Sequence, residues 1–325
     1  RHLSARYWRT GLVLVGLGVL VAAPTLVSSF WLRVGIGILL WSALSQSWNI
    51  IGGYTGYLNF GHGAFFGIGA YVTALGINEL GLPFLATLPM GGLLTSLLAI
   101  VIGYPTLRLR GAYFAIATWA FAEMVKQLAL ILPFTGGPHG IQVDTPLNDI
   151  LVYYVMLTGF LLTMVVAWWL LERAPFGQKL QAIRENEMAA ESLGIDTNWM
   201  KIQAFALSAF FPGMLGGIYA YWISFIHPQS VLDASVTDQM IVMTLLGGLG
   251  SFWGPALGAS ILWLINRVIW SYWGESPVYL VMLGLTVCLI VLYLPDGLVG
   301  LMQGRRGGWW RDNARYLLRR FGVRT

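Results

Sequence analysis

Ten apolar runs separated by short polar turns organise this chain: residues 11–30, 34–51, 61–78, 83–104, 112–133, 150–171, 202–223, 236–249, 255–273 and 277–295. A hydrocarbon core about 30 Å thick takes roughly 20 residues of helix. Most of the runs have that length, so the pattern predicts an all-α polytopic membrane bundle of about ten transmembrane helices. Two segments depart from it. The run 236–249 is short for a full crossing, and 52–63 is so rich in glycine that it reads either as a connection or as a re-entrant turn. The first run is too long for a signal-peptide core and lacks an A-x-A cleavage site, so it reads as a retained helix. Longer polar stretches fall only at 134–149 and 172–201. The expected organisation is a membrane body over 1–300, with a loop at 172–201, followed by a basic tail over 301–325.

Charge orients this pattern. Only 10% of the residues are charged and 57% are hydrophobic, against about 25% charged in soluble domains. The net charge of +5 comes from Arg and Lys at the ends of apolar runs, so it points to membrane orientation and not to nucleic acid. If each run crosses once, sixteen of the nineteen basic residues fall on one side: three before the first run, Arg108 and Arg110, Arg173 to Lys201, and seven after residue 300. The opposite turns hold Glu79, Asp144, Asp149, Asp233 and Glu275. Both termini and the 172–201 loop are therefore expected in the cytoplasm. Trp309 to Phe321 mixes aromatic residues with four Arg. It reads as an interfacial helix on anionic lipid or as a disordered basic tail.

The chemistry inside the spans is sparse. His62, Glu123, Lys126 and Arg267 are the ionisable groups there, and Glu123 and Lys126 have the i,i+3 spacing of a mutually neutralising pair. The histidines at 2, 62, 139 and 227 show no metal-ligand spacing, no phosphate-binding loop is present, and Cys288 is the lone cysteine. No catalytic or metal site is expected, and ATP could drive the chain only through another polypeptide. Two glycine-rich segments interrupt the apolar pattern, Gly52–Gly69 and Gly247–Gly258. Broken segments at membrane depth mark transport sites or close helix packing. The first carries Asn49, Gly53, Tyr54, Asn59 and His62, which are candidates to offer hydrogen bonds along a solute pathway. The second has no ionisable residue and reads as packing.

The 172–201 loop has an order of its own. Pro175 and Gly177 make a turn, and Lys179 to Ser192 reads as one amphipathic helix with Leu180, Ile183 and Met188 on its apolar side. Leu193 follows, and Gly194 stops it. Such a helix is expected to fill a groove on a partner, with Arg184, Glu185 and Glu187 at the rim. A solvated connector along the membrane surface is the alternative.

The stretch AIRENEMAAESLGI (182–195) resembles the EAA-type coupling segment of ABC importer permeases, with Glu187, Ala189, Ala190 and Gly194 in the expected order. GYTGYLNFGHGAFFGIGAYVTAL (53–75) is similar to the signature of LivM-type permeases of branched-chain amino acid importers. RLRGAYFAIATWAFAEM (108–124), TGGPHGI (135–141) and LLGGLGSFWGPALGA (245–259) resemble other segments of that family, in order, over about residues 40–300. The resemblance implies an importer permease of the bacterial cytoplasmic membrane that carries branched-chain or other hydrophobic amino acids. Leu180, Ile183, Arg184, Glu185, Glu187, Ala189, Ala190 and Gly194 would couple it to its ATPase. It further implies a LivH-like second permease, two LivG- or LivF-like ATPases that bind the ATP and Mg, and a periplasmic or lipid-anchored binding protein, with no cofactor in this chain. Some relatives carry urea, amides or aromatic acids; His62 leans toward the amino-acid branch, since urea-type relatives often have Gln there. A self-sufficient secondary transporter or channel is the alternative without such partners.

Overall fold

A computed structural model describes residues 16, 18–145, 148–273, 281, 284, 285, 288 and 297–302. Apart from residues 281, 284, 285 and 288, the expected run 277–295 lies outside the described residues, as do the basic tail beyond 302 and Arg1, Arg6 and Arg9. Eight of the ten apolar runs are described, and each is helical.

Helical residues 18–26 break at Ser28, so Phe30 belongs to the next helix and not to the first run. The long elements are α1 (Ser29–Gly52), α2 (His62–Asn78), α3 (Phe84–Thr106), α4 (Ala112–Ile131), α5 (Asp149–Ala167) and, past the loop, α8 (Thr197–Ile223). A π-helical turn, Trp168–Arg173, ends α5. The loop holds α6 (Pro175–Glu185) and α7 (Glu187–Ser192). After α8 come α9 (Pro228–Val231), α10 (Ala234–Gly247), α11 (Gly254–Trp273) and α12 (Gly297–Met302). Helix starts follow side-chain chemistry: Asn148 accepts from the amides of Ile150 and Leu151, and Asp196 from that of Trp199, so both cap free N–H groups.

The bundle has two ends with different chemistry. At one, the 172–201 loop meets the glycine-rich segments, through Arg184 on the Gly53 carbonyl and Asn49 on Gly250 and Ser251. At the other, Arg33 pairs with Asp149 at 3.0 Å, Asn78 donates to the Gln142 carbonyl, and a two-residue strand β1 (Ile141–Gln142) pairs antiparallel with β2 (Phe225–Ile226). These are the ends that the Arg distribution separates.

The short run does link them. Helix α10 has 14 residues, about 21 Å of rise, and the short helix α9 with its flanking residues connects it to β2. Asp233 lies against Lys126 inside α4, while Gly248 to Ser251 lie against the end of α1.

Helix α8 is the axis, packed along α3 and α2 and touching α1 and α5. Its glycines set the distances. A Cβ on Gly69 would stand 1.8 Å from the Gly213 carbonyl oxygen, and one on Gly213 would stand 2.1 Å from the Thr95 hydroxyl. Small residues let backbones touch where lipid supplies no hydrophobic drive. Helix α4 is peripheral: Phe114, Thr118, Phe121 and Ala129 are its buried residues, and Tyr113, Ile116 and Ile131 face outward.

Candidate functional site

The connection 53–61 between α1 and α2 is non-helical, so its backbone groups need partners from elsewhere. Side chains satisfy three of them, and a fourth holds the first turn of α2. Trp48 Nε1 donates to the Asn59 carbonyl at 2.8 Å, the Phe60 amide to Thr118 Oγ1 at 3.1 Å, and the Gly61 amide to Asn59 Oδ1 at 2.8 Å. The Gly63 amide donates to Thr237 Oγ1 at 2.8 Å. The other end of the Asn59 amide donates to His62 Nδ1 at 2.9 Å. That leaves the ring proton of His62 on Nε2, facing Ser47 Oγ at 3.3 Å.

The expected pathway residues therefore have structural occupations. Asn49, Tyr54, Asn59 and His62 are all fully buried. Asn49 bridges the two glycine-rich segments like a peptide unit: its Nδ2 donates to the Ser251 carbonyl and its Oδ1 accepts from the Gly250 amide, both at 2.9 Å. Tyr54 donates to Glu172 at 3.0 Å. Gly53 supplies a carbonyl to Arg184. The second glycine-rich segment packs closely, as expected, with Gly247 against Gly254 and Gly258 against the Met243 carbonyl. Replacing Asn49 by Leu orphans an amide and a carbonyl at once. The expected loss is about 2–4 kcal/mol of stability, read as a lower melting temperature of the purified protein; Asn49→Gln, which keeps the amide, should lose less.

The loop departs from expectation in two ways. The single helix over 179–192 is two helices, because Asn186 takes an extended conformation and its side chain caps α7 by accepting from the Ala189 amide. And Leu180, Ile183 and Ala190, expected to face a partner, are buried in this chain at 0%, 3% and 2% exposure. The reason is local. A Cβ on Gly177 would stand 2.0 Å from the Leu171 carbonyl, so α6 lies directly on the π turn and turns its apolar face inward. Of the residues expected at the coupling surface, Arg184, Glu185, Ala189 and Gly194 are exposed, and so are the apolar Met188 and Leu193, at 64% and 81%. Gly194 takes the left-handed conformation that ends the unit.

Two cations tie this unit to the bundle. Arg184 donates to the Gly53 carbonyl at 2.5 Å, and a Cβ on Gly250 would stand 2.4 Å from its Nη1. One guanidinium thus touches both glycine-rich segments. Lys201, with a side chain 2% exposed, donates to Glu187 Oε1 at 2.5 Å, the Leu107 carbonyl at 3.0 Å and the Tyr57 hydroxyl at 3.1 Å. Tyr57 donates to the other oxygen of Glu187 at 2.9 Å, and Arg110 lies 3.5 Å from it. Burial would raise the Glu187 carboxyl, but the hydrogen bonds from Lys201 and Tyr57 and the charges of Lys201 and Arg110 outweigh it and hold it below the usual carboxylate range. A cleft of about 560 Å³ opens beside this hub, between Gly56, Tyr57, Arg110, Arg184 and Met188.

Sequence reasoning missed this hub. Lys201 counted only as a basic residue at the edge of a run, and no local spacing joins it to Tyr57 or Leu107. The Glu123–Lys126 pair is also corrected: Lys126 pairs with Asp233 at 3.0 Å, and Glu123 accepts from Gln127 at 2.6 Å. Arg267 stacks on Trp263 at 4.6 Å and Trp270 at 6.0 Å.

Comparison with known proteins places these features. The family model described as "Branched-chain amino acid transport system / permease component" matches residues 12–292. The high-affinity branched-chain amino acid transport system permease protein LivM of Escherichia coli (strain K12) is 33% identical over 325 aligned residues, covering 90% of this chain and 75% of the relative. A probable LivM of Methanocaldococcus jannaschii is 29% identical, covering 81% and 92%. An autoinducer 2 import system permease, LsrC of Yersinia pestis, is 28% identical over 53% of this chain and 52% of its own. No solved structure matches.

Proposed function

This chain belongs to the family of branched-chain amino acid transport system permease components, and on that premise we propose that it is the permease subunit of an ATP-binding cassette importer for branched-chain or other hydrophobic amino acids. In this reading its end bearing the 172–201 loop faces the cytoplasm of a bacterial inner membrane, which the Arg and Lys distribution supports, and both termini lie on that side. It works with a second permease, two ATPase subunits that bind ATP and Mg, and a binding protein that delivers the solute from outside.

The observation that carries this reading is the two-faced α6–α7 unit. Its inner face is locked to the bundle by Leu180, Ile183, Ala190, Arg184 and Glu187, and its outer face presents Met188, Ala189, Leu193 and Glu185. Exposed apolar side chains on a short helix outside the spans fit a protein partner. Force on α7 reaches α3 and α8 through Glu187 and Lys201, and reaches both glycine-rich segments through Arg184. Transport then follows only if the ATPase binds two arrangements of this joint with different affinity. Asn49, Gly53, Tyr54, Asn59 and His62 act in this reading as parts of the joint, and the solute passes elsewhere.

Purification from the native membrane in mild detergent tests the proposal. The expected complex contains two ATPase subunits and a second permease, and it takes up branched-chain amino acids in liposomes with ATP inside. Met188→Asp or Leu193→Asp should cut ATPase recovery about tenfold or more, since each places a charge in an apolar contact. Recovery of this chain alone, active without ATP, would replace the proposal with a secondary transporter.

A further inference from the structure

Arg267 is a cation within α11, and no carboxylate pairs with it among the described residues. It follows Trp263 by four positions and precedes Trp270 by three, the spacings that set side chains over one another on one helix face. Its guanidinium carbon accordingly lies 4.6 Å from the centre of the Trp263 ring and 6.0 Å from that of Trp270. Both are cation–π distances. Such contacts use the flat face of a guanidinium and give its N–H edge no acceptor. Nε of Arg267 is buried and has no hydrogen-bond partner among the described residues. A cation held in a span without a counterion calls for an anion from outside the chain.

Contacts with α1 fix the level of this group. Ser42 donates to the Ala256 carbonyl at 3.3 Å, and Trp263 Nε1 donates to the Val34 carbonyl at 3.2 Å, so the two helices run antiparallel. Arg267, one turn beyond Trp263, stands level with the first turn of α1. That is the end where Arg33 meets Asp149. Phe30 and Trp31 of that turn are exposed, and so are Trp270 and Tyr272 of α11. Helix α1 is long and apolar enough to cross a bilayer, and exposed aromatic rings gathered at the end of a span mark the lipid headgroups. The anion present in quantity there is the lipid phosphate, whose oxygens match the fork of a guanidinium. Leu264 and Val268, exposed on the same helix, offer acyl chains an apolar surface.

We infer that Arg267, with Trp263 and Trp270 against it, binds the phosphate of a phospholipid in the leaflet remote from the 172–201 loop. The site does not depend on the importer reading. It holds the far end of a helix that begins, at Gly254, in the second glycine-rich segment.

The test uses the protein as recovered from its native membrane in a maltoside detergent, which brings neither charge nor phosphate. Dihexanoyl phosphatidylglycerol, glycerol 3-phosphate and dihexanoylglycerol are titrated separately while the melting temperature is followed. The phospholipid should raise it with concentration, as a ligand of the folded state does, and the other two should not. Arg267→Gln should need about tenfold more phospholipid for the same rise, the worth of one charged hydrogen bond. Arg267→Lys, a point charge in place of a fork, should lose less. The readout is a rise caused by the ligand, so a variant that starts from a lower melting temperature still tests the site. An equal response to glycerol 3-phosphate would make this a site for free phosphate esters, and an equal response to dihexanoylglycerol would reduce it to an acyl contact. Either result overturns the lipid-phosphate assignment. An unaltered response in Arg267→Gln would also overturn it and leave a carboxylate as the counterion of Arg267.

Discussion

Lys201→Met should be the most damaging single change at the loop. The side chain is buried, and its loss leaves the Glu187 charge with the Tyr57 hydroxyl as its donor and the 61%-exposed Arg110 as its countercharge, while the Leu107 carbonyl loses its donor. Breaking a buried pair by removing one partner costs about 3–5 kcal/mol, because the remaining charge stays desolvated. The expected result is a melting temperature lowered by several degrees in detergent and ATP hydrolysis that no longer drives uptake. Adding Glu187→Gln removes the stranded charge, so the double variant should be more stable than Lys201→Met alone. The pH dependence has a definite sign. Glu187 is depressed below its ordinary value of 4.5 in the folded state, so its contribution is complete above that value and is lost as pH falls through the lower folded value. The difference in stability between wild type and Glu187→Gln should therefore shrink in acid. A Lys201→Met protein as stable as wild type, with uptake still coupled, would show that the hub carries nothing.

Gly69→Ala should be nearly as severe for a different reason. The added methyl would stand 1.8 Å from the Gly213 carbonyl oxygen and 2.5 Å from its carbon, which are backbone atoms that no rotamer change can move. Helix α2 would have to separate from α8 along one of the two most extensive packing interfaces of the bundle. Overpacking costs about 1–3 kcal/mol where side chains can adjust, and here the cost should reach the top of that range or exceed it. Gly35→Ala is the matched control, since its methyl would meet only Tyr153 at an ordinary 3.5 Å. Replacing a helical glycine there should be neutral or stabilise by about 0.5–1 kcal/mol. The expected readout is loss of monodisperse protein for Gly69→Ala and none for Gly35→Ala. Equal behaviour of the two variants would mean that the crossing is not set by Gly69.

Much of the fold was legible because its signals are local. Apolar runs report spans directly, and Arg placement separates the two ends before any contact is known. The short run 236–249 corresponds to the helix α10, Ala234–Gly247. What stayed hidden depends on contacts far apart in the chain. Lys126 finds Asp233 across 107 positions, so the closer Glu123 looked like its partner. The apolar side of the loop helix was evident from Leu180 and Ile183, but periodicity does not say whether such a face turns inward or toward another protein. The break at Asn186 did leave a trace, since Asn three residues before Ala189 is a capping pattern. Polar residues around 53–61 were read as a passage because polarity at membrane depth suggests one. Broken backbone at that depth needs the same residue types for its own hydrogen bonds, and sequence alone does not separate the two uses.

The connection between α1 and α2 has one more property. Its Gly53 carbonyl is held by Arg184 of α6, its Asn59 carbonyl by Trp48 of α1 and its Phe60 amide by Thr118 of α4, while the Gly63 amide just inside α2 is held by Thr237 of α10. Each tie is a single hydrogen bond, and each comes from a different helix. The segment is fastened at separate points from four helices, so its full set of hydrogen bonds needs all four in register. A polypeptide hinge of glycines alone would bend in response to any force. This one reports a conjunction, and that lets a bundle of separately moving rods change state together.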